Sequence, residues 1–161
     1  MYDFTVSGTA GKAALYRDLD QALDALTAGE ADPIANMANA AALLWQYLPD
    51  LNWAGFYRAV GGTLVLGPFQ GKPACIRIPL GRGVCGTAAA TGETQLVADV
   101  HAFPGHIACD ADSRSELVVP VVREGRVTAV IDLDSPRAAR FDAEDAGGCE
   151  ALATLLADRI G

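Results

Sequence analysis

Apolar residues recur at helical spacing at both ends of this chain and in short alternating runs through its middle. Between residues 11 and 29, Leu15, Leu19, Leu23 and Leu26 fall on one helical face with charges between them, and Gly29 follows as a stop signal. Asp32-Pro33 then offers a cap with proline in the first turn. Ile34, Met37, Ala41, Leu44, Trp45 and Leu48 mark a second amphipathic helix, which Pro49-Asp50 ends. A last helix, from about Asp142 to Ile160, places Cys149, Leu152, Ala153, Leu156 and Ile160 on one face.

From residue 52 the periodicity changes. NWAGFYRAV and TLVLGPF are rich in aromatic and β-branched residues, and the Gly61-Gly62 between them is a hairpin signal. CIRIPL reads as another short strand, GVCGTAAATGE as a short helix begun in a glycine-rich turn, and TQLVADV as a further extended run. SELVVPVV and RVTAVIDLD close the sheet through the turn Arg123-Glu124-Gly125. Helices at both ends with antiparallel strands between them predict an α+β architecture, one domain spanning residues 1–161. The irregular segment from Asp99 to Ser115 is long for a compact domain, and long loops are often functional.

Composition narrows the classes. A chain of 161 residues with 51% hydrophobic content builds its own core without staples. The amino terminus has neither the basic start nor the apolar run of a signal peptide, and no stretch approaches the roughly 18 apolar residues of a membrane span. The expected compartment is the cytosol. A net charge of −8, with 12 basic residues scattered along the chain, argues against a nucleic-acid surface.

In a reducing compartment, four cysteines are buried, metal-bound or catalytic more often than structural disulfides. Cys109 lies in the irregular segment beside two histidines and two aspartates, Cys75 opens a strand after Lys72-Pro73, and Cys85 sits near the amino end of the short helix. A helix amino terminus favours a thiolate, whereas a buried strand or helix cysteine is inert. Cys149, on an apolar helix face, reads as core. A Cys3His zinc set of Cys75, Cys85, Cys109 and His106 lacks the close C-x2-C pairs of structural zinc sites, and no metal is expected.

Carboxylates add to this picture. Alternation in VTAVIDLD puts Val127, Ala129, Ile131 and Leu133 on one face and Val130, Asp132 and Asp134 on the other. Repulsion between two acids on one face is expected to raise at least one pKa, and Glu116, opening the neighbouring strand, can approach them. An ordinary solvated face or strand end would carry the same acids. Trp53, Phe56 and Tyr57 read as core or as an aromatic wall for a small apolar substituent, and His101 and His106 as local hydrogen-bonding groups or bases.

The segments NWAGFY, LGPFQGKPACIRI, GRGVCGTAA, DVHAFPGHIACDADSRSELVVP and VIDLDSP resemble the free methionine-(R)-sulfoxide reductases, which are single GAF-type domains. The likeness spans about Ala31 to Phe141, and the HIACD motif is specific to that family rather than to GAF domains at large. The resemblance implies that Cys109 is the nucleophile, Cys75 the resolving cysteine and Cys85 a third thiol that forms or relays a disulfide. It implies that Glu116, Asp132 and Asp134 hold the substrate ammonium and polarise its sulfoxide, and that Trp53 and Tyr57 contact the substrate methyl group.

It further implies thioredoxin as reductant, with a potential of about −270 mV. No cofactor is required, and GAF-type domains often form homodimers. The alternatives are a non-catalytic GAF sensor of a small molecule or redox state, and a thiol sensor of peroxide.

Overall fold

The computed structural model describes residues 11–107 and 110–161. Among these residues the order is α1 (Lys12–Thr27), α2 (Pro33–Tyr47), β1 (Trp53–Val60), β2 (Thr63–Gly71), β3 (Arg77–Pro79), α3 (Gly83–Thr91), β4 (Gln95–Val97), β5 (Ser115–Arg123), β6 (Arg126–Ser135) and α4 (Ala143–Ile160). The strands form an antiparallel sheet in the order β3-β2-β1-β6-β5-β4. The predicted α+β architecture is the observed one.

Local chemistry sets the boundaries. Asp32 caps α2 by accepting hydrogen bonds from the N–H groups of Ile34 and Ala35 at 2.8 and 2.9 Å, ahead of Pro33 in the first turn. Gly61 and Gly62 join β1 to β2 at φ 58° and 79°, a left-handed pair that glycine adopts at no steric cost. In α4, Asp142 and Asp145 form a reciprocal capping box. Buried Asp145 also accepts from Tyr16 Oη at 2.9 Å and Lys12 Nζ at 2.6 Å, tying α4 to α1. The strand expected over CIRIPL shrinks to Arg77–Pro79, paired only along β2.

The sheet divides two apolar regions. Helices α1, α2 and α4 pack on one face over Phe56, Leu117, Val119, Ala129, Ile131 and Leu133. The larger of these side chains, Phe56, Leu117, Val119, Ile131 and Leu133, each contribute roughly 1.5–3 kcal/mol when fully buried. Cys149 lies in this core, as expected. The other face carries Trp53, Tyr57, Val118 and Val130 beneath α3.

Side-chain expectations fail at three positions. Val127 joins the α3 side rather than the helical core, because a β-bulge at Thr128 inserts an extra residue in β6 between the pairs Val122↔Val127 and Val121↔Ala129 and reverses the alternation. In α2, Ile34 in the first turn and Trp45, one position past Leu44, turn outward and are 44% and 41% exposed, off the buried row of Met37, Ala40, Ala41 and Leu44. No described helix is long and apolar enough to cross a membrane.

Candidate active site

The α3 side of the sheet holds a pocket lined by Trp53, Tyr57, Lys72, Cys85, His106, Asp110, Ser113, Glu116, Asp132 and Asp134. Its floor is made by the neighbouring strands β5 and β6, which carry the acids. Glu116 of β5 stands opposite Asp134 of β6, and Val118 opposite Asp132, so antiparallel register brings three carboxylates together from one sheet face. The chain enters α3 through Gly81 and Gly83, both at positive φ, which sets Cys85 in the first turn of the helix above that floor. Its thiol lies 3.9 Å from Glu116 Oε1.

Glu116, Asp132 and Cys85 are each 4–6% exposed. Desolvation is accordingly the leading cause of their shifts. It pushes Asp132 up to about 7, partly offset by hydrogen bonding with Cys85 and Glu116. Burial, then the charges of Asp132 and Asp134, raise Glu116 well above the usual carboxylate range. Asp134 is raised in the same way, by burial and then Asp132, against a hydrogen bond with Ser113. Repulsion, the cause expected from the sequence, takes second place to burial at Glu116 and Asp134.

The helix-terminus effect expected to favour a Cys85 thiolate is overridden. Burial and the adjacent Asp132 and Glu116 charges push this thiol well up, so it stays protonated at neutral pH. Cys75 is disulfide-bonded, whereas Cys85 and Cys149 are free thiols. Cys109 lies outside the described residues. With Cys75 in a disulfide, the Cys3His zinc set has lost a thiolate ligand; among the described residues the ligand atoms of Cys85, Glu116 and Asp132 do converge, within 4.8 Å of one another.

One wall of the pocket is aromatic. Trp53 stacks on Tyr57 with centroids 5.8 Å apart and on Phe69 at 5.2 Å. Both β1 aromatics also carry a polar anchor: Trp53 Nε1 donates to the Lys72 carbonyl at 3.1 Å and Tyr57 Oη to the Cys75 carbonyl at 3.0 Å. The wall thereby fixes the segment that bears Cys75. Phe69 was not singled out from the sequence, although LGPFQGKPAC contains it; only the β1–β2 register sets it against Trp53.

The rim was also missed. Lys72 Nζ reaches Asp112 at 2.7 Å and Asp110 at 3.4 Å, while Asn52 Nδ2 donates to Asp110 at 3.2 Å and to Ser113 at 3.0 Å. These bonds fasten the far end of the irregular segment to the β1 and β2 ends. His106 lines the pocket, its Nδ1 buried without a partner among the described residues and its pKa lowered by burial and then His101. His101 sits outside the pocket, bonded to Asp99.

The GAF-domain sequence profile matches residues 18–161. Free methionine-R-sulfoxide reductase from Escherichia coli is 52% identical over 145 residues, covering 90% of this chain and 88% of that protein. Its namesake from Saccharomyces cerevisiae is 43% identical, covering 93% and 88%. The chain belongs to the free methionine-R-sulfoxide reductase family of GAF domains. A crystal structure of that reductase from Neisseria meningitidis in complex with its substrate superposes with a TM-score of 0.94 at 46% identity, covering 99% of this chain and 96% of that one. The GAF fold therefore holds across the whole sheet and its flanking helices.

Proposed function

We propose that this GAF domain reduces free methionine (R)-sulfoxide to methionine. The observation that carries the reading is the three-acid floor, Glu116, Asp132 and Asp134, facing an aromatic wall across one small pocket. A substrate ammonium pairs with ionised carboxylates there, and its methyl group lies against Trp53 and Tyr57. A carboxyl kept protonated by burial donates to the sulfoxide oxygen, a poor leaving group without that proton. The names and substrate complex of the relatives support the same substrate.

In this reading the thiolate of Cys109 attacks the sulfoxide sulfur. The oxygen passes to Cys109 as a sulfenic acid and methionine leaves. Cys75 then attacks the sulfenic acid, water departs and a disulfide remains, which the dithiol of thioredoxin reduces. That Cys75 is disulfide-bonded while Cys85 is buried, free and protonated supports Cys75 as the resolving thiol and an auxiliary role for Cys85. Free substrate is preferred because a peptide-bound residue brings an uncharged amide to the acid floor. The expected setting is the cytosol, with a homodimer the expected assembly.

The test supplies thioredoxin, its reductase and NADPH and compares the R and S epimers of free methionine sulfoxide with a peptide-bound form and with peroxide. NADPH oxidation with the free R epimer alone, abolished by Cys109→Ser, is the expected result. Full activity in that variant removes the mechanism; ligand binding without turnover favours a sensor.

A further inference from the structure

We infer that Cys85, Glu116 and Asp132 form a binding site for a thiophilic divalent cation of the zinc class. One ligand atom from each residue lies within 4.8 Å of the other two. A tetrahedral zinc ion with a sulfur arm of about 2.3 Å and an oxygen arm of about 2.1 Å needs those two atoms about 3.6 Å apart. The Cys85 Sγ to Glu116 Oε1 separation is 3.9 Å, a few tenths of an ångström from that value. The three side chains come from α3, β5 and β6, elements already locked together by the sheet and the core beneath α3.

A second observation points to a cation. The Asp132 carboxyl is held against Cys85 and Glu116, but its Oδ1 is buried and has no hydrogen-bond partner of its own among the described residues, in a side chain only 5% exposed that lines the pocket. A buried acceptor left unpaired is destabilising, and a metal ion satisfies it directly. Three protein ligands and a fourth position open to the pocket match the layout of an accessible zinc site rather than a closed structural one. Sulfur selects against magnesium and calcium, which take oxygen ligands, and favours zinc or cadmium. On binding, the Cys85 proton leaves to solvent and the thiolate becomes the ligand.

The inference does not depend on the reductase reading, since it is read out by metal binding and not by turnover. If both hold, the metal occupies the acids that would pair with a substrate ammonium and acts as an inhibitor.

The experiment titrates metal-free protein, kept without reductant so that Cys75 stays disulfide-bonded, with cobalt(II) as a spectroscopic substitute for zinc. A single tight equivalent with thiolate-to-cobalt charge-transfer absorption in the near ultraviolet, displaced by zinc, is expected. Cys85→Ser loses that band and weakens zinc binding, measured by chelator competition, by at least about 100-fold, the upper end of what losing an outer-shell partner costs a metal site. Asp132→Asn keeps the band and binds at least about tenfold more weakly. Absence of metal uptake by the wild-type protein, a band that survives Cys85→Ser, or unchanged affinity in Asp132→Asn overturns the site.

Discussion

Glu116 stands directly across the β5–β6 ladder from Asp134, and the Cys85 thiol lies 3.9 Å from Glu116 Oε1. Like charges directly opposite in a sheet are destabilising, more so when buried. Burial raises the pKa of both acids and so lessens the charge that they set against each other.

A raised carboxyl pKa makes stability depend on pH. Asp132 titrates at about 7 in the fold against an ordinary 3.8, so between those values the folded protein binds more protons than the unfolded chain. Its contribution to stability therefore falls as pH rises from about 4 to about 7. Asp132→Asn, measured by urea unfolding at pH 5 and pH 8, is expected to leave the protein more stable at pH 8 by on the order of 2–4 kcal/mol and to flatten the slope between. A slope unchanged in the variant contradicts the burial argument.

Glu116 is the acid that burial, together with the charges of Asp132 and Asp134, drives well above its usual range. Glu116→Gln keeps the shape and a hydrogen-bond donor but cannot transfer a proton. Its kcat/KM for free methionine (R)-sulfoxide is expected to fall by about 100-fold or more, with the circular dichroism spectrum of the fold retained. Activity within a factor of about two of wild type would remove Glu116 from the acid role.

Cys85 and Cys149 are free but buried thiols with raised pKa, Cys149 to about 12. Iodoacetamide at pH 7.5 (roughly one unit below an ordinary thiol) is expected to leave both unmodified in the folded protein and to alkylate both after unfolding. Peptide mass spectrometry reads the difference. Rapid native labelling of Cys85 would show that its thiol is not held as described.

Gly86 follows Cys85 in GVCG and is placed there by contact, not by an unusual backbone angle. A β-carbon on it would come within 2.4 Å of the Pro79 carbonyl oxygen, and its own carbonyl accepts from the Gly81 N–H at 2.7 Å. Gly86→Ala is expected to push α3 away from β3, lowering stability by about 1–3 kcal/mol and tilting Cys85 off the acid floor. Thermal melting and the activity assay both report it; an unchanged melting temperature would mean that α3 is not packed this closely.

Much of this architecture was legible in local pattern. The leucines of α1, the Asp32-Pro33 start of α2, the diglycine hairpin and the alternation of β6 act within a few residues of themselves, so sequence alone predicts the elements they form. The same alternation put Asp132 and Asp134 on one face, and the quoted motifs pointed to the family. What sequence could not supply was non-local. The bulge that turns Val127 over, the outward rotation of Trp45 and the Phe69–Trp53 stack depend on which strand or helix lies alongside.

The acids and thiols divide in the same way. Their identities, and the spacing that shares a strand face, were fixed by the chain itself. Tertiary structure decided that Glu116 faces Asp134, that α3 sets Cys85 against Glu116 and Asp132, and that burial outweighs both charge repulsion and the helix terminus in shifting their pKa values. Desolvation belongs to a packed environment made by residues far apart in sequence, which is why no local pattern expresses it.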